Sequence, residues 1–112
     1  MNIQIFGTKK CQDTKKAERF FKERSINFHY RELSEKGISK GELDNIKRVF
    51  DIEELIDKEG KQYKKRNLEY MTYNAEDELL EDALLFRTPI VRNGGKVTIG
   101  FEPETWKEWM AD

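Results

Sequence analysis

The N-terminal residues carry two hydrophobic patterns in succession. Polar and apolar residues alternate over residues 2–6, the period-2 pattern of a half-buried β-strand, and residues 7–8 predict a turn. Apolar residues then recur at helical spacing with lysine and arginine between them: Ala17, Phe20 and Phe21. A helix is therefore predicted to begin near Cys11, which is the only cysteine of the chain.

A second strand is predicted after a break at residues 25–27, because apolar and polar residues alternate again over residues 28–31. One helix between two strands favours a right-handed parallel βαβ unit. The side chains predicted to face its core are Ile3, Ile5, Phe28 and Tyr30. His29 is then predicted on the outer side of its strand.

The middle of the chain, residues 39–85, is predicted to be helical throughout. A capping-box spacing at residues 39–42 predicts one helix start, and acidic residues at 76–77 suit the dipole of another. A short helix is predicted to close near Gly60, before a basic stretch at residues 61–67. The apolar faces are formed by Leu43, Ile46, Val49, Phe50, Ile52, Leu55, Ile56, Leu79, Leu80, Ala83 and Leu84.

The C-terminal residues predict a β-hairpin followed by a helix. The strands lie at residues 90–91 and 97–101, and the turn at residues 93–95 is built from residues that tolerate positive φ. Pro103 with acidic neighbours predicts the start of the helix. Its apolar stripe, interpreted as core packing, consists of Trp106, Trp109 and Met110.

Length and charge narrow the class of protein. A chain of 112 residues favours a single domain over residues 1–112. With 21 basic and 22 acidic residues the net charge is −1, which argues against direct binding to nucleic acid or to an anionic membrane. No apolar run approaches the ~18 residues needed to span a bilayer, and the N-terminus has no signal-peptide pattern. The sequence therefore predicts a cytoplasmic protein.

Cys11 is the candidate nucleophile. A sulfur in the first turn of a helix faces unpaired backbone N–H groups and the positive end of the dipole, which favour the thiolate. Positive charge on either side comes from Lys9, Lys10, Lys15 and Lys16. A lone cysteine cannot form an internal disulfide, and an inert buried thiol is the alternative. No spacing of cysteine, histidine and carboxylate residues indicates a metal site.

The order of elements, with a cysteine after the first strand and Thr-Pro before the third, resembles the thioredoxin fold. The helical segment at about residues 38–86 narrows the resemblance to the arsenate reductase family, which also contains the Spx-type regulators. The resemblance rests on residues 5–17 (IFGTKKCQDTKKA), 84–91 (LLFRTPIV) and 97–106. It implies an α/β fold with a thioredoxin-like mixed four-stranded sheet flanked by helices, and an all-helical insertion between the βαβ half and the ββα half.

This resemblance implies roles for residues around the cysteine. Cys11 would be the nucleophilic thiol, and Pro89, after Thr88, a cis-proline packed beside it. Thr14 stands where relatives carry serine or a second cysteine, so its hydroxyl could donate a hydrogen bond to the sulfur but could not resolve a disulfide. No bound cofactor is implied, and an outside thiol, either glutathione or a glutaredoxin-like protein, would complete the reaction.

The resemblance also implies an oxyanion site, because arginines surround the oxyanion in these reductases and their planar fork suits it. Arg87 lies near the arginine that precedes the proline of the family, and Lys65 or Arg66 could supply charge from the insertion. Residues 99–101 replace a third arginine, so the site is incomplete. The alternative is that Arg87, Lys65 and Arg66 are solvated or salt-bridged and bind no anion. The full set of substrate-binding candidates is Lys10, Lys15, Lys65, Arg66, Thr88 and Pro89.

Two functions of different class follow from the resemblance. The first is a thiol-dependent oxidoreductase that acts on a small oxyanion or a disulfide. The alternative is a Spx-type regulatory protein that binds the RNA polymerase α subunit, with or without redox sensing by Cys11. Sensing members carry a second cysteine where Thr14 stands, and the near-neutral charge argues against direct DNA binding. A weaker third hypothesis is a family member that keeps the fold without the chemistry.

Overall fold

The computed structural model describes residues 1–111. Three short 3-10 helices in that range are Ile52–Leu55, Leu68–Tyr70 and Ala83–Leu85. The remaining elements are β1 (Ile3–Gly7), α1 (Gln12–Glu23), β2 (Phe28–Glu32), α2 (Lys40–Lys47), α3 (Lys61–Lys65), α4 (Ala75–Glu81), β3 (Ile90–Asn93), β4 (Lys96–Ile99) and α5 (Pro103–Met110). None of the helices in the described range combines the length and the apolar character needed to cross a membrane.

The chain divides into two compact units. The sheet unit consists of residues 1–32 and the segment from residue 88 onward, and the helical unit consists of residues 33–87. The helical unit therefore interrupts the sheet unit between β2 and β3, where the insertion is predicted. The prediction of a single domain stays a prediction.

The sheet unit contains one sheet of four strands within residues 1–111, in the order β2-β1-β3-β4. β1 pairs in parallel with β2, and β3 pairs antiparallel with both β1 and β4. The parallel pair requires a crossover, which α1 supplies, whereas the two residues Gly94 and Gly95 join β3 to β4. Gly94 has a φ of 62°, as the turn prediction requires. This is the thioredoxin-like mixed sheet that the sequence predicts.

Trp106 belongs to the core of the sheet unit and is fully buried. Its indole Nε1 donates a hydrogen bond to Thr98 Oγ1 at 2.9 Å, so the one polar atom of the ring has a partner. The surrounding core residues come from both predicted halves of the fold: Ile3, Ile5, Ala17, Phe20, Phe21, Val91 and Trp109. The prediction that the tryptophans are core residues is confirmed.

The helical unit is helical as predicted but is not continuous. The capping box is present, since Glu42 N donates to Ser39 Oγ and Ser39 N donates to the Glu42 carboxylate. Turns and short extended stretches separate the short helices. Ile56 pairs with Phe86 in an isolated antiparallel bridge. α4 ends at Glu81, so the apolar face predicted to continue to Leu84 breaks and that side chain is 42% exposed.

Candidate active site

Cys11 occupies the N-cap position of α1, between the end of β1 and the first helical residue. Its backbone is extended, with φ −84° and ψ 118°, and its N–H donates to the Thr8 carbonyl oxygen at 3.1 Å. The side chain is free of disulfide bonding and partly exposed, and it caps none of the helical N–H groups. The first-turn N–H groups of a helix have no intrahelical acceptor, so they present positive charge beside the sulfur.

The segment Thr88–Pro89 lies against the sulfur. Cys11 Sγ donates a weak hydrogen bond to the Thr88 carbonyl oxygen, with 3.6 Å between the two atoms. The Thr88–Pro89 peptide bond is cis, as the resemblance implies. Gly100 N donates to the Pro89 carbonyl oxygen at 2.8 Å, which ties this segment to the end of β4. The described structure therefore brings three of the candidate residues, Cys11, Thr88 and Pro89, together.

Thr14 is fully buried on the first turn of α1, and the structure shows no hydrogen bond from its hydroxyl to the sulfur. Within residues 1–111, Thr14 Oγ1 has no hydrogen-bond partner. The Thr14 side chain packs instead against Gly7, where a Cβ would lie 2.4 Å from Oγ1 and 2.5 Å from Cγ2. Gly7 is thus needed for close approach between the end of β1 and the start of α1.

The lysines around Cys11 are on the surface. Lys10 and Lys15 are exposed, and Lys16 lies 3.9 Å from Asp13 in an ion pair whose two side chains are about half exposed. Exposed pairs of this kind contribute little, and their field is screened by salt over about 10 Å. Their contribution to binding an anion at Cys11 stays a prediction.

Tyr30 and Glu32 form a contact with the cysteine loop that the hydrophobic pattern does not reveal. Tyr30 Oη donates to Glu32 Oε1 at 2.7 Å, and Lys9 N donates to the same oxygen at 2.9 Å. The alternation over residues 28–31 predicts only a core-facing Tyr30, which is in fact half-buried against the core. The sequence signal that could have revealed this pair is the spacing of Tyr30 and Glu32, because residues two apart on a strand lie on the same face.

Arg87 lies in the helical unit with an exposed side chain. Its Nη1 donates to the Glu54 carbonyl oxygen at 3.2 Å, and its backbone N donates to the Leu55 carbonyl oxygen at 2.7 Å. The carbonyl contact uses only one of the five N–H donors of the guanidinium. Its role as an anion ligand stays a prediction.

Arg66 is held by carboxylates of its own unit. Its Nη2 is 3.0 Å from both oxygens of Glu78, and its Nη1 is 3.2 Å from Asp82. The carboxylates of Glu78 and Asp82 thus occupy the guanidinium N–H groups with which Arg66 would bind an oxyanion. Arg66 is therefore a weaker candidate for an anion ligand than Arg87. Lys65, the neighbouring candidate, is exposed.

The Arg66 network predicts a loss of stability in acid. Burial alone would raise the pKa of Asp82, but hydrogen bonds from Gln62, Arg66 and the backbone of Leu84 hold it below its ordinary value of 3.8. A carboxylate with a lowered folded-state pKa stabilises the fold above its unfolded pKa, and that contribution is lost as the pH falls through the folded value. We expect Asp82→Asn to lower the free energy of unfolding by about 1–2 kcal/mol at pH 7.

Urea unfolding of wild type and Asp82→Asn at pH 7 and at pH 3 or below measures this effect. The difference between the two proteins should shrink as the pH falls below the ordinary aspartate value. Glu81→Gln is the control, because Glu81 is 72% exposed and 3.9 Å from Arg66, and a change below about 0.5 kcal/mol is expected. A difference that is equally large at both pH values would contradict the assignment.

The described residues contain no group of three or more histidine, cysteine, aspartate or glutamate side chains placed to hold a metal ion. The residues described above form a site that contains a thiol at a helix N-terminus and a cis-proline segment, with exposed lysines nearby in the sequence. A thiol in this setting can attack an electrophilic sulfur or the central atom of an oxyanion.

The sequence of this chain matches a protein-family model over most of its length. The model described as "ArsC family" matches residues 6–109. An uncharacterized protein, YusI of Bacillus subtilis, is 29% identical over 115 aligned residues, covering 96% of this chain and 98% of YusI.

Two solved structures share the fold. The YffB (PA3664) protein superposes with a TM-score of 0.84 at 18% identity, covering 97% of this chain and 99% of that one. An arsenate reductase from Vibrio cholerae gives 0.79 at 20% identity, covering 96% and 97% of the two chains. At these identities the two structures establish the fold alone.

Proposed function

Because this chain belongs to the ArsC family, we propose that it is a thiol-dependent oxidoreductase in which Cys11 is the nucleophile. The observation that carries the proposal is the position of Cys11. The sulfur is free and partly exposed at the N-cap of α1, and it lies 3.6 Å from the carbonyl oxygen that precedes the cis-proline. Backbone N–H groups at a helix start stabilise negative charge on such a sulfur.

The proposed reaction begins when the Cys11 thiolate attacks one sulfur of a disulfide. A new disulfide forms to Cys11, and the other sulfur leaves as a thiolate that takes a proton from water. An external thiol then attacks the mixed disulfide, forms a disulfide with the substrate-derived sulfur and releases the Cys11 thiolate. With an oxyanion as substrate, two external thiols become a disulfide, while the central atom gains two electrons and one oxygen leaves as water.

The external thiol in this proposal is glutathione or a glutaredoxin-like protein. The chain has one cysteine, so the disulfide on Cys11 has no internal partner to resolve it. Thr14 Oγ1 makes no hydrogen bond within residues 1–111, and in this proposal its hydroxyl turns to donate to the sulfur once the thiolate forms. Arg87 and the exposed residues Lys10, Lys15 and Lys65 remain the candidates for holding a negatively charged substrate.

Intact-mass measurement after incubation with oxidised glutathione tests the nucleophile. We expect one glutathionyl group on the wild type and its release by reduced glutathione. Cys11→Ser should gain no mass, because it removes the only thiol. Incubation with arsenate and reduced glutathione then tests the oxyanion branch, with product formation lost in Cys11→Ser and strongly reduced in Arg87→Ala.

A matched control for Arg87 is Arg48→Ala, which removes another exposed arginine of the helical unit and should leave product formation unchanged. A wild-type protein that forms no adduct and reduces no arsenate with any thiol supplied would rule out the proposed function. Adduct formation without arsenate reduction would restrict the substrate class to disulfides.

A further inference from the structure

The loop that carries Cys11 is fastened to β2 through one carboxylate oxygen. Lys9 N, two residues before Cys11, donates to Glu32 Oε1 at 2.9 Å, and Tyr30 Oη donates to the same oxygen at 2.7 Å. Tyr30 and the backbone of Lys9 thus donate to the same carboxylate oxygen, so the phenol helps to orient the group that accepts from Lys9. Both distances lie in the ordinary range for N–H···O and O–H···O hydrogen bonds.

The position of this contact follows from the register of the sheet. Glu32 pairs with Gly7, the last residue of β1, in the parallel ladder. The ladder ends there, and the Glu32 side chain continues it by accepting from Lys9 N, two residues further along the chain. Cys11 N closes the same loop by donating to the Thr8 carbonyl oxygen at 3.1 Å. The loop is thus held at both ends when α1 begins.

Electrostatics connects Tyr30 to the cysteine as well. The pKa of Tyr30 is raised well above its ordinary value. Burial is the largest cause, followed by the hydrogen bond and charge of Glu32 and then by the charges of Glu18 on α1 and of Cys11. The phenol consequently stays protonated, and remains a donor to Glu32, at every pH at which a thiolate would react. The charged groups facing this phenol lie on both β2 and α1.

We propose that Glu32 and Tyr30 are positioning residues for Cys11, which hold the loop of residues 8–11 so that the sulfur stays at the N-terminus of α1. The inference rests on the proposed function, because it concerns how the nucleophile is placed. Glu32 touches the backbone two residues before the sulfur and acts through it. Tyr30 acts one step further away, through Glu32.

The glutamine and alanine variants of Glu32 distinguish the effect of its hydrogen bonds on Cys11 from the effect of its negative charge. Glu32→Gln removes the negative charge but keeps an oxygen that can accept from Lys9 N and from Tyr30. Glu32→Ala removes the same charge and the acceptor together. Any difference between the two variants therefore reports the hydrogen bonds, because the change in charge beside Cys11 is matched.

The experiment measures the rate of iodoacetamide labelling of Cys11 against pH in the wild type, Glu32→Gln, Glu32→Ala and Tyr30→Phe. At pH 7 we expect Glu32→Gln to label at least as fast as the wild type, because a nearby negative charge disfavours the thiolate. Glu32→Ala should label about three- to tenfold more slowly than Glu32→Gln, with the midpoint of its pH profile moved upward. Tyr30→Phe should lie between these two.

Amide hydrogen exchange at Lys9 provides a readout that does not depend on the reactivity of Cys11. The Lys9 N–H should be protected in the wild type and in Glu32→Gln and should exchange rapidly in Glu32→Ala. Equal exchange in these two variants, or equal labelling profiles, would overturn the inference. If wild-type Cys11 labels like a free thiol and forms no adduct, the proposed function fails, and Lys9 exchange still decides whether Glu32 holds the loop.

Folding of each variant is checked by circular dichroism before either measurement. If Glu32→Ala does not fold, Tyr30→Phe takes its place, because it keeps the carboxylate and loses the hydrogen bond that Tyr30 donates to it. Faster Lys9 exchange in Tyr30→Phe than in the wild type then supports the inference. Unchanged exchange and labelling in that variant would overturn it.

Discussion

Trp106→Ala is expected to lower the free energy of unfolding by about 3–5 kcal/mol. The side chain is fully buried, and its ring centroid lies 5.2 Å from those of both Phe20 and Phe21 and 5.6 Å from that of Phe101. Truncation removes these contacts and leaves a cavity that the sheet unit cannot fully close. Native domains are stable by only about 5–15 kcal/mol, so a loss of this size removes a large fraction of the stability of the protein.

Urea unfolding followed by circular dichroism measures this loss. Trp106→Phe keeps an aromatic ring but loses the Nε1 donor to Thr98, so its cost should be smaller than that of alanine. Tyr70→Ala, which removes an aromatic residue that is 81% exposed, is the control and should change stability by less than about 0.5 kcal/mol. A loss below about 1 kcal/mol for Trp106→Ala would show that the core is organised around another residue.

Gly7→Ala is expected to cost about 1–3 kcal/mol and to slow the labelling of Cys11. The added Cβ would lie 2.4 Å from Thr14 Oγ1, within a contact distance that packed atoms do not tolerate. Thr14 is fully buried and β-branched, so its side chain cannot turn aside freely. The start of α1 must therefore move away from β1, and Cys11 moves with it.

A second substitution at Thr14 tests this explanation. Thr14→Ala removes the two nearest of the three atoms that the new Cβ would meet and leaves only Thr14 Cβ, at 3.0 Å. The double variant Gly7→Ala/Thr14→Ala should therefore be more stable than the sum of the single effects predicts. Gly41→Ala is the matched control, because a Cβ there meets nothing within 4 Å. Purely additive effects of the two substitutions would contradict a direct clash between these positions.

The strands, the crossover helix and the hairpin could be predicted from sequence because each has a local signature. Alternation marks β1 and β2, helical spacing marks α1, and two glycines mark the turn between β3 and β4. The position of Cys11 follows directly, since it lies at a junction between two such patterns. The cis bond before Pro89 follows from family resemblance and from no local pattern.

The remaining features depend on partners that are distant in sequence. The run at residues 64–67 is basic when read alone, but Arg66 is paired with Glu78 and Asp82, which follow 12 and 16 residues later. The extended backbone at residues 56 and 86 has a similar origin, because Ile56 pairs with Phe86, 30 residues later. The Thr14 hydroxyl lies against Gly7 because two elements approach closely. Hydrophobic periodicity carries no information about such pairings.

β1 lies between β2 and β3 in the sheet, so its two edges are paired at different times during synthesis of the chain. Ile5 pairs with Tyr30 on one side and with Val91 on the other, so one edge of β1 gains its partner early in synthesis and the other much later. A nascent chain that ends before β3 exposes an unpaired, apolar strand edge, which is a template for aggregation. Contacts within the helical unit span shorter stretches of chain, so we expect them to form while the ribosome is still completing the sheet.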